Sequence, residues 1–116
     1  MQKIKLFLVM TVLAVTVLSS CKKDDGSVSG QVTYIGEITG ISYVAVGATV
    51  YLMTSDTEYL ETTTTDAEGN YEFYPVIDGT YHIEADITVN LIEYFDFSED
   101  FYIEKDDDIT VDLILE

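Results

Sequence analysis

Thr65-Asp66-Ala67-Glu68-Gly69-Asn70-Tyr71-Glu72-Phe73 is the stretch on which the fold turns. Asp66 to Asn70 are turn formers. An aspartate side chain can accept hydrogen bonds from the backbone just ahead of it, and Gly and Asn tolerate positive φ. A threonine-rich run, about 58–65, leads into this turn, and Tyr71 and Phe73 alternate with Glu72 and Tyr74 after it. Period-two alternation places Tyr71 and Phe73 on one face of a strand. The stretch therefore reads as two strands joined by a turn.

The same period runs outward in both directions. Val28, Gly30, Val32 and Tyr34 alternate with Ser27, Ser29, Gln31 and Thr33. Ala48, Val50 and Leu52 alternate with Thr49, Tyr51 and Met53, and Tyr81, Ile83 and Ala85 with His82, Glu84 and Asp86. Ile109, Val111, Leu113 and Leu115 alternate with Thr110, Asp112, Ile114 and Glu116. β-Branched and aromatic residues dominate, as half-buried pleated surfaces prefer. Asp78-Gly79 is a further turn signal, and Gly36–Gly40 and Lys105–Asp108 read as loops. Pro75 belongs near a strand end, where its missing N–H is tolerable. The reading is all-β, with about seven strands near 27–34, 45–53, 58–65, 70–74, 80–87, 95–104 and 109–115, which suits a sandwich. Val50, Leu52, Phe73, Tyr81, Ile83, Val111 and Leu113 are the expected inward residues.

Residues 1–26 have a different character. Lys3 and Lys5 precede an apolar run, Leu6–Leu18, which is short of the roughly 20 residues a spanning helix needs. Leu18-Ser19-Ser20-Cys21 follows, and Cys21 is the single cysteine. This resembles a bacterial lipoprotein signal peptide with its lipobox. The resemblance implies a cleaved leader, 1–20, and a covalent lipid on Cys21. A lone thiol in an exported protein would otherwise be reactive and unpaired. Residues 21–26 then form the lipidated tether. Lys22-Lys23-Asp24-Asp25 is similar to the export address of surface-exposed Gram-negative lipoproteins, which implies the outer membrane with the domain facing the cell exterior. Residues 27–116 remain as one small domain.

All 22 acidic residues lie beyond the leader, opposed there by Lys22, Lys23 and Lys105. Such a field repels phosphates and excludes nucleic acid as a partner. It also repels anionic headgroups, so membrane attachment falls to the lipid.

Val28-Ser29-Gly30-Gln31-Val32, Val46-Gly47-Ala48-Thr49-Val50-Tyr51-Leu52, Thr65–Phe73 and Gly79-Thr80-Tyr81-His82-Ile83-Glu84-Ala85 resemble, in order, four motifs of carboxypeptidase regulatory-like domains. That resemblance implies a seven-stranded transthyretin-like β-sandwich with a binding, scaffolding or spacing role. Residues 86–104 depart from the pattern and are richer in aromatics.

Catalytic residues are not expected. His82 has no cysteine, second histidine or serine elbow to work with, and its strand position predicts an exposed face opposite Tyr81 and Ile83. Zinc would need several His or Cys ligands. Calcium is the one cofactor the residues suggest, from Asp66, Glu68 and Asn70 or from Asp106, Asp107 and Asp108. The full calcium-loop spacing is absent, so turn capping and a solvated hairpin loop are the preferred readings.

Val89–Phe97 is apolar where a connection is expected. Alternation predicts Phe95 and Phe97 buried. Leu91, Ile92 and Tyr94 fit that alternation less well, since Leu91-Ile92 breaks the period, and are expected as an exposed partner-binding patch ringed by Glu93 and Asp96. Two roles follow: a non-catalytic binding or accessory module engaging a cell-surface protein or polymer, or a spacer that pairs through an edge strand. A small hydrolase is the remote alternative.

Overall fold

The computed structural model describes residues 25–54 and 58–116; the expected leader at 1–20, Cys21 and the first part of the expected tether lie outside them. The described chain is all-β, with ten strands: β1 (Gly26–Ile35), β2 (Ser42–Val44), β3 (Thr49–Met53), β4 (Tyr59–Thr64), β5 (Asn70–Val76), β6 (Gly79–Val89), β7 (Ile92–Phe97), β8 (Phe101–Ile103), β9 (Asp108–Thr110) and β10 (Leu113–Leu115). They form two sheets packed as a sandwich.

β1 is the spine of the first sheet. It pairs antiparallel with β5 along Gly26–Gln31 and with β2 along Thr33–Ile35. Its other edge takes β9 and then β10, both parallel. The second sheet runs β4-β3-β6-β7, with β8 continuing β7 along β6. The runs expected at 95–104 and 109–115 are thus present but each is broken in two. At the second break, the Asp112 carboxylate accepts the Gln31 N–H at 2.8 Å, and so replaces a missing ladder bond.

The break has a steric partner. A Cβ on Gly30 would lie 1.8 Å from the Val111 carbonyl oxygen. Only glycine lets Val111 cross β1 so closely, and the Val111 N–H then donates to Ser29 O at 2.8 Å. The Tyr71 hydroxyl donates to Val111 O at 2.6 Å. Burial, aided by the Asp112 charge, pushes the Tyr71 phenol well above its ordinary pKa.

Two of the sequence motifs meet at a single side chain. Thr65 Oγ1 accepts the Ala48 N–H at 2.9 Å and donates to the Ala45 carbonyl. It is buried, so it fixes the turn around Gly47 and sets where β3 begins, at Thr49 instead of residue 45. The Asp66–Asn70 turn forms as expected. Asp66 Oδ1 accepts the N–H groups of Glu68 and Asn70, both at 2.9 Å. Gly69 has a φ of 80°, whereas Asn70 begins β5 without positive φ.

Val50, Leu52, Phe73, Tyr81, Ile83 and Leu113 are buried between the sheets as expected; Val111 is half-buried because it sits at the broken edge. At one corner the sheets are bonded together, the N–H and C=O of Phe95 pairing with those of Glu116 at 3.3 and 3.4 Å.

Candidate functional site

The β6–β7 hairpin is where sequence and structure part. Asn90 and Leu91 both take positive φ, 52° and 70°, and make a two-residue turn. Val89 then pairs with Ile92, Ile87 with Tyr94, and Asp86 with Phe95. That register turns Tyr94 inward and leaves Phe95 and Phe97 outside, at 43% and 59% exposure. The expectation of buried Phe95 and Phe97 is therefore corrected. A one-residue shift in phase exchanges the faces of a strand, and here the tight turn sets the phase.

The expected patch of Leu91, Ile92 and Tyr94 divides in the same way. Leu91 stands at the turn, 97% exposed; Ile92 is half-buried; Tyr94 is buried at 5%. Ile92 and Tyr94 nevertheless share a cleft of about 580 Å³ at this end of the sandwich, walled also by Gly36, Glu37, Glu93 and Glu116. A second hollow of about 440 Å³ adjoins it across Gly36, Glu37, Ile92 and Tyr94, and adds Tyr34, Thr39, Tyr43 and Asn90.

Two hairpins bring these groups together. The β1–β2 loop closes through the Gly36 N–H to Ile41 O at 2.9 Å and the Gly40 N–H to Gly36 O at 2.7 Å, with Gly40 at φ 71°. The Glu37 N–H donates to the Tyr94 hydroxyl at 3.1 Å, tying that loop to β7. Tyr34 lies between two other rings, 5.3 Å from Tyr43 in a stacked arrangement and 4.9 Å from Tyr94. Tyr43 is the outer member, 40% exposed, and its hydroxyl shares a 3.2 Å hydrogen bond with Thr39 Oγ1. The hollow thus combines a partly exposed aromatic ring, stacked on Tyr34, with a carboxylate, a hydroxyl and an amide. Tyr34, Tyr43, Glu37 and Asn90 were not singled out from the sequence. The signals available were the tyrosines on the strands flanking the Gly36–Gly40 loop.

The remaining candidates fall elsewhere. His82 is buried at 8% exposure, against the expected exposed position. It does face away from Tyr81 and Ile83, but Glu84 Oε2 lies 2.9 Å from its Nε2, and Asp100, from the connection before β8, lies 3.6 Å from Nδ1. Asp66 spends its carboxylate on the turn, with Glu68 and Asn70 exposed beside it. Asp107 Oδ2 accepts the Glu104 N–H at 2.9 Å, Asp108 Oδ1 accepts the Ser27 hydroxyl at 2.6 Å, and Asp106 takes a φ of 66°. The Asp106–Asp108 segment joins β8 of one sheet to β9 of the other, and so is no hairpin loop. Among the described residues no group of three or more His, Cys, Asp or Glu side chains is arranged to hold a metal ion.

Residues 26–94, more than half the chain, match the family described as BOS complex subunit NOMO1-like, second β-sandwich domain. The chain belongs to that family. The match spans all four sequence motifs and the first part of β7, and it agrees with the sandwich those motifs implied. Among solved structures, the chain is similar to a crystal structure from Pseudomonas aeruginosa described as that of a candidate carbohydrate-binding protein. The TM-score is 0.57 at 14% identity, covering 78% of this chain and 88% of the other. At that identity the likeness concerns the fold alone. No curated protein matches the chain.

Proposed function

We propose that this protein is a non-catalytic glycan-binding module, displayed on the outer membrane by a lipid on Cys21, with its ligand in the tyrosine-lined hollow between the β1–β2 and β6–β7 hairpins. The observation that carries this reading is the pairing of Tyr43, half-open and stacked on Tyr34, which itself packs on Tyr94, with the polar groups of Glu37, Thr39 and Asn90 around it. A sugar ring offers an apolar C–H face and a rim of hydroxyls. The first suits an aromatic ring; the second needs carboxylate, hydroxyl and amide partners at fixed positions. The sandwich neighbour from Pseudomonas aeruginosa, described in terms of carbohydrate, supports the same class. The cleavage after Ser20, the acylation of Cys21 and the outward address at Lys22–Asp25 belong to the same proposal.

A panel of neutral and uronic polysaccharides, probed by affinity electrophoresis, tests the site. Tyr43→Ala should weaken capture of the retained polysaccharide by about tenfold, the loss of one stacking contact. Because Tyr43 is exposed, the fold should persist by circular dichroism. Retention of no glycan by the wild-type protein, or equal retention by Tyr43→Ala, overturns the reading. Cys21→Ala should move the protein from membranes to the soluble fraction, since acyl burial supplies the attachment. Membrane retention of that variant through a high-salt wash would defeat the anchoring part of the proposal.

A further inference from the structure

We propose that the outward face of the β3–β6–β7 layer docks an extended, arginine-bearing segment of a partner protein. The face is built from cross-strand pairs. Glu84 of β6 lies between Tyr51 of β3 and Phe97 of β7, and Asp86 lies between Thr49 and Phe95. Tyr59 of β4 joins the Tyr51 edge, its ring 5.8 Å from that of Tyr51; the Phe95 and Phe97 rings are 5.9 Å apart on the other edge. The result is a central stripe of carboxylates with aromatic rings along both borders. It is separate from the glycan hollow, which opens at the end of the sandwich.

Two features point to a ligand and not to a solvated face. Tyr59, Phe95 and Phe97 are 64%, 43% and 59% exposed, on a surface where threonine or lysine would serve solubility better. The His82 ring beside Glu84 is the one basic group recorded against the stripe among the described residues, and beyond residue 23 the chain contains one lysine, Lys105, and no arginine. Glu84 takes the His82 ring as its neighbour, and Asp86 lies against the Tyr51 phenol, whose pKa is raised by burial and by that carboxylate.

Charge complementarity selects the occupant. A second copy would bring the same carboxylates, and a membrane surface would bring more negative charge. A guanidinium fits both halves of the face at once. It stacks its plane on an aromatic ring while donating to an adjacent carboxylate, which a compact ammonium cannot do. Glu84 and Asp86 are two residues apart, so they recur about 6.8 Å along the strand. An extended partner with arginines two residues apart, Arg-x-Arg, has the same repeat.

The test uses the mature chain and an acetylated Arg-Thr-Arg-Thr-Arg peptide, with lysine and block-ordered Arg-Arg-Arg-Thr-Thr versions, in isothermal titration and by amide chemical-shift mapping. Glu84→Gln/Asp86→Asn should weaken the alternating arginine peptide about tenfold, and Phe95→Ser/Phe97→Ser about fivefold. Glu68→Gln/Glu72→Gln removes the same charge from exposed positions away from this face and should change affinity by less than about twofold. Shifts should concentrate on β3, β6 and β7. Equal losses in the two carboxylate pairs, equal binding of the lysine or block-ordered peptide, or tighter binding of a glucosamine oligomer than of the arginine peptide would each overturn the proposal. Because Phe95→Ser/Phe97→Ser could disturb the sheet, the carboxylate pair alone is decisive if that variant fails to fold.

Discussion

Gly30→Ala separates the packing account from strand propensity, because the two predict opposite signs. Propensity alone favours alanine over glycine inside a strand by about 0.5–1 kcal/mol. In the folded chain the new methyl would lie 1.8 Å from Val111 O, where ordinary contact begins at 3.4 Å. The β9–β10 segment would have to withdraw by about 1.6 Å, well beyond what close-packed interiors absorb without loss. That movement breaks the Val111 N–H to Ser29 O bond and the Gln31 N–H to Asp112 bond, both 2.8 Å, and the Tyr71 hydroxyl bond to Val111 O at 2.6 Å. At about 1 kcal/mol each the loss is about 3 kcal/mol, a large share of the 5–15 kcal/mol typical of small domains. Equilibrium urea unfolding reads this directly. With a slope near 1 kcal/mol/M, the midpoint should fall by about 3 M with the slope unchanged. A midpoint equal to or above that of the wild type would refute the close crossing of Val111 over β1.

Leu91→Gly should stabilise the protein: the αL penalty of about 1–2 kcal/mol disappears, glycine entropy returns about half of it, and the exposed Leu91 side chain loses no packing. A thermal scan should show a rise of about 3 °C, and a fall would show that Leu91 packs after all. Thr65→Val keeps the shape but leaves the Ala48 N–H and Ala45 carbonyl unsatisfied in the interior, at a cost of about 2–4 kcal/mol by urea unfolding; an effect under about 0.5 kcal/mol would count against the Thr65 lock. The Tyr71 phenol is held protonated in the native state, chiefly by burial, while in the unfolded chain it ionises near pH 10. Its contribution is therefore full below about pH 10 and is lost as pH rises above it. Tyr71→Phe should be the less stable protein at pH 7 and should close that gap between about pH 10 and 11, and a gap independent of pH would contradict this assignment.

The sequence by itself determined which class of fold this chain adopts and most of its interior. Alternation is a local property of the pleat, so Val50, Leu52, Phe73, Tyr81 and Ile83 could be assigned to the core from their own neighbours. Turn chemistry is equally local, and Asp66 and Gly69 act as their residue types require. Tertiary structure decided what depends on distant chain. The phase of Ile92–Phe97 follows from a turn at Asn90-Leu91, residues that carry no glycine to announce it, and that phase moved Tyr94 inside and Phe95 and Phe97 out. His82 is buried with Glu84 of its own strand at 2.9 Å and Asp100, beyond the next strand, at 3.6 Å, so its burial could not be read from alternation. In the sequence Gly30 is an ordinary inward position of the alternation, and only the crossing of Val111 makes glycine necessary there. The tyrosine hollow is the same kind of fact. Tyr34 and Tyr43 are a cross-strand pair of one sheet, but Tyr34 meets Tyr94 only because the two sheets pack face to face, and a contact made by packing leaves no period in the sequence.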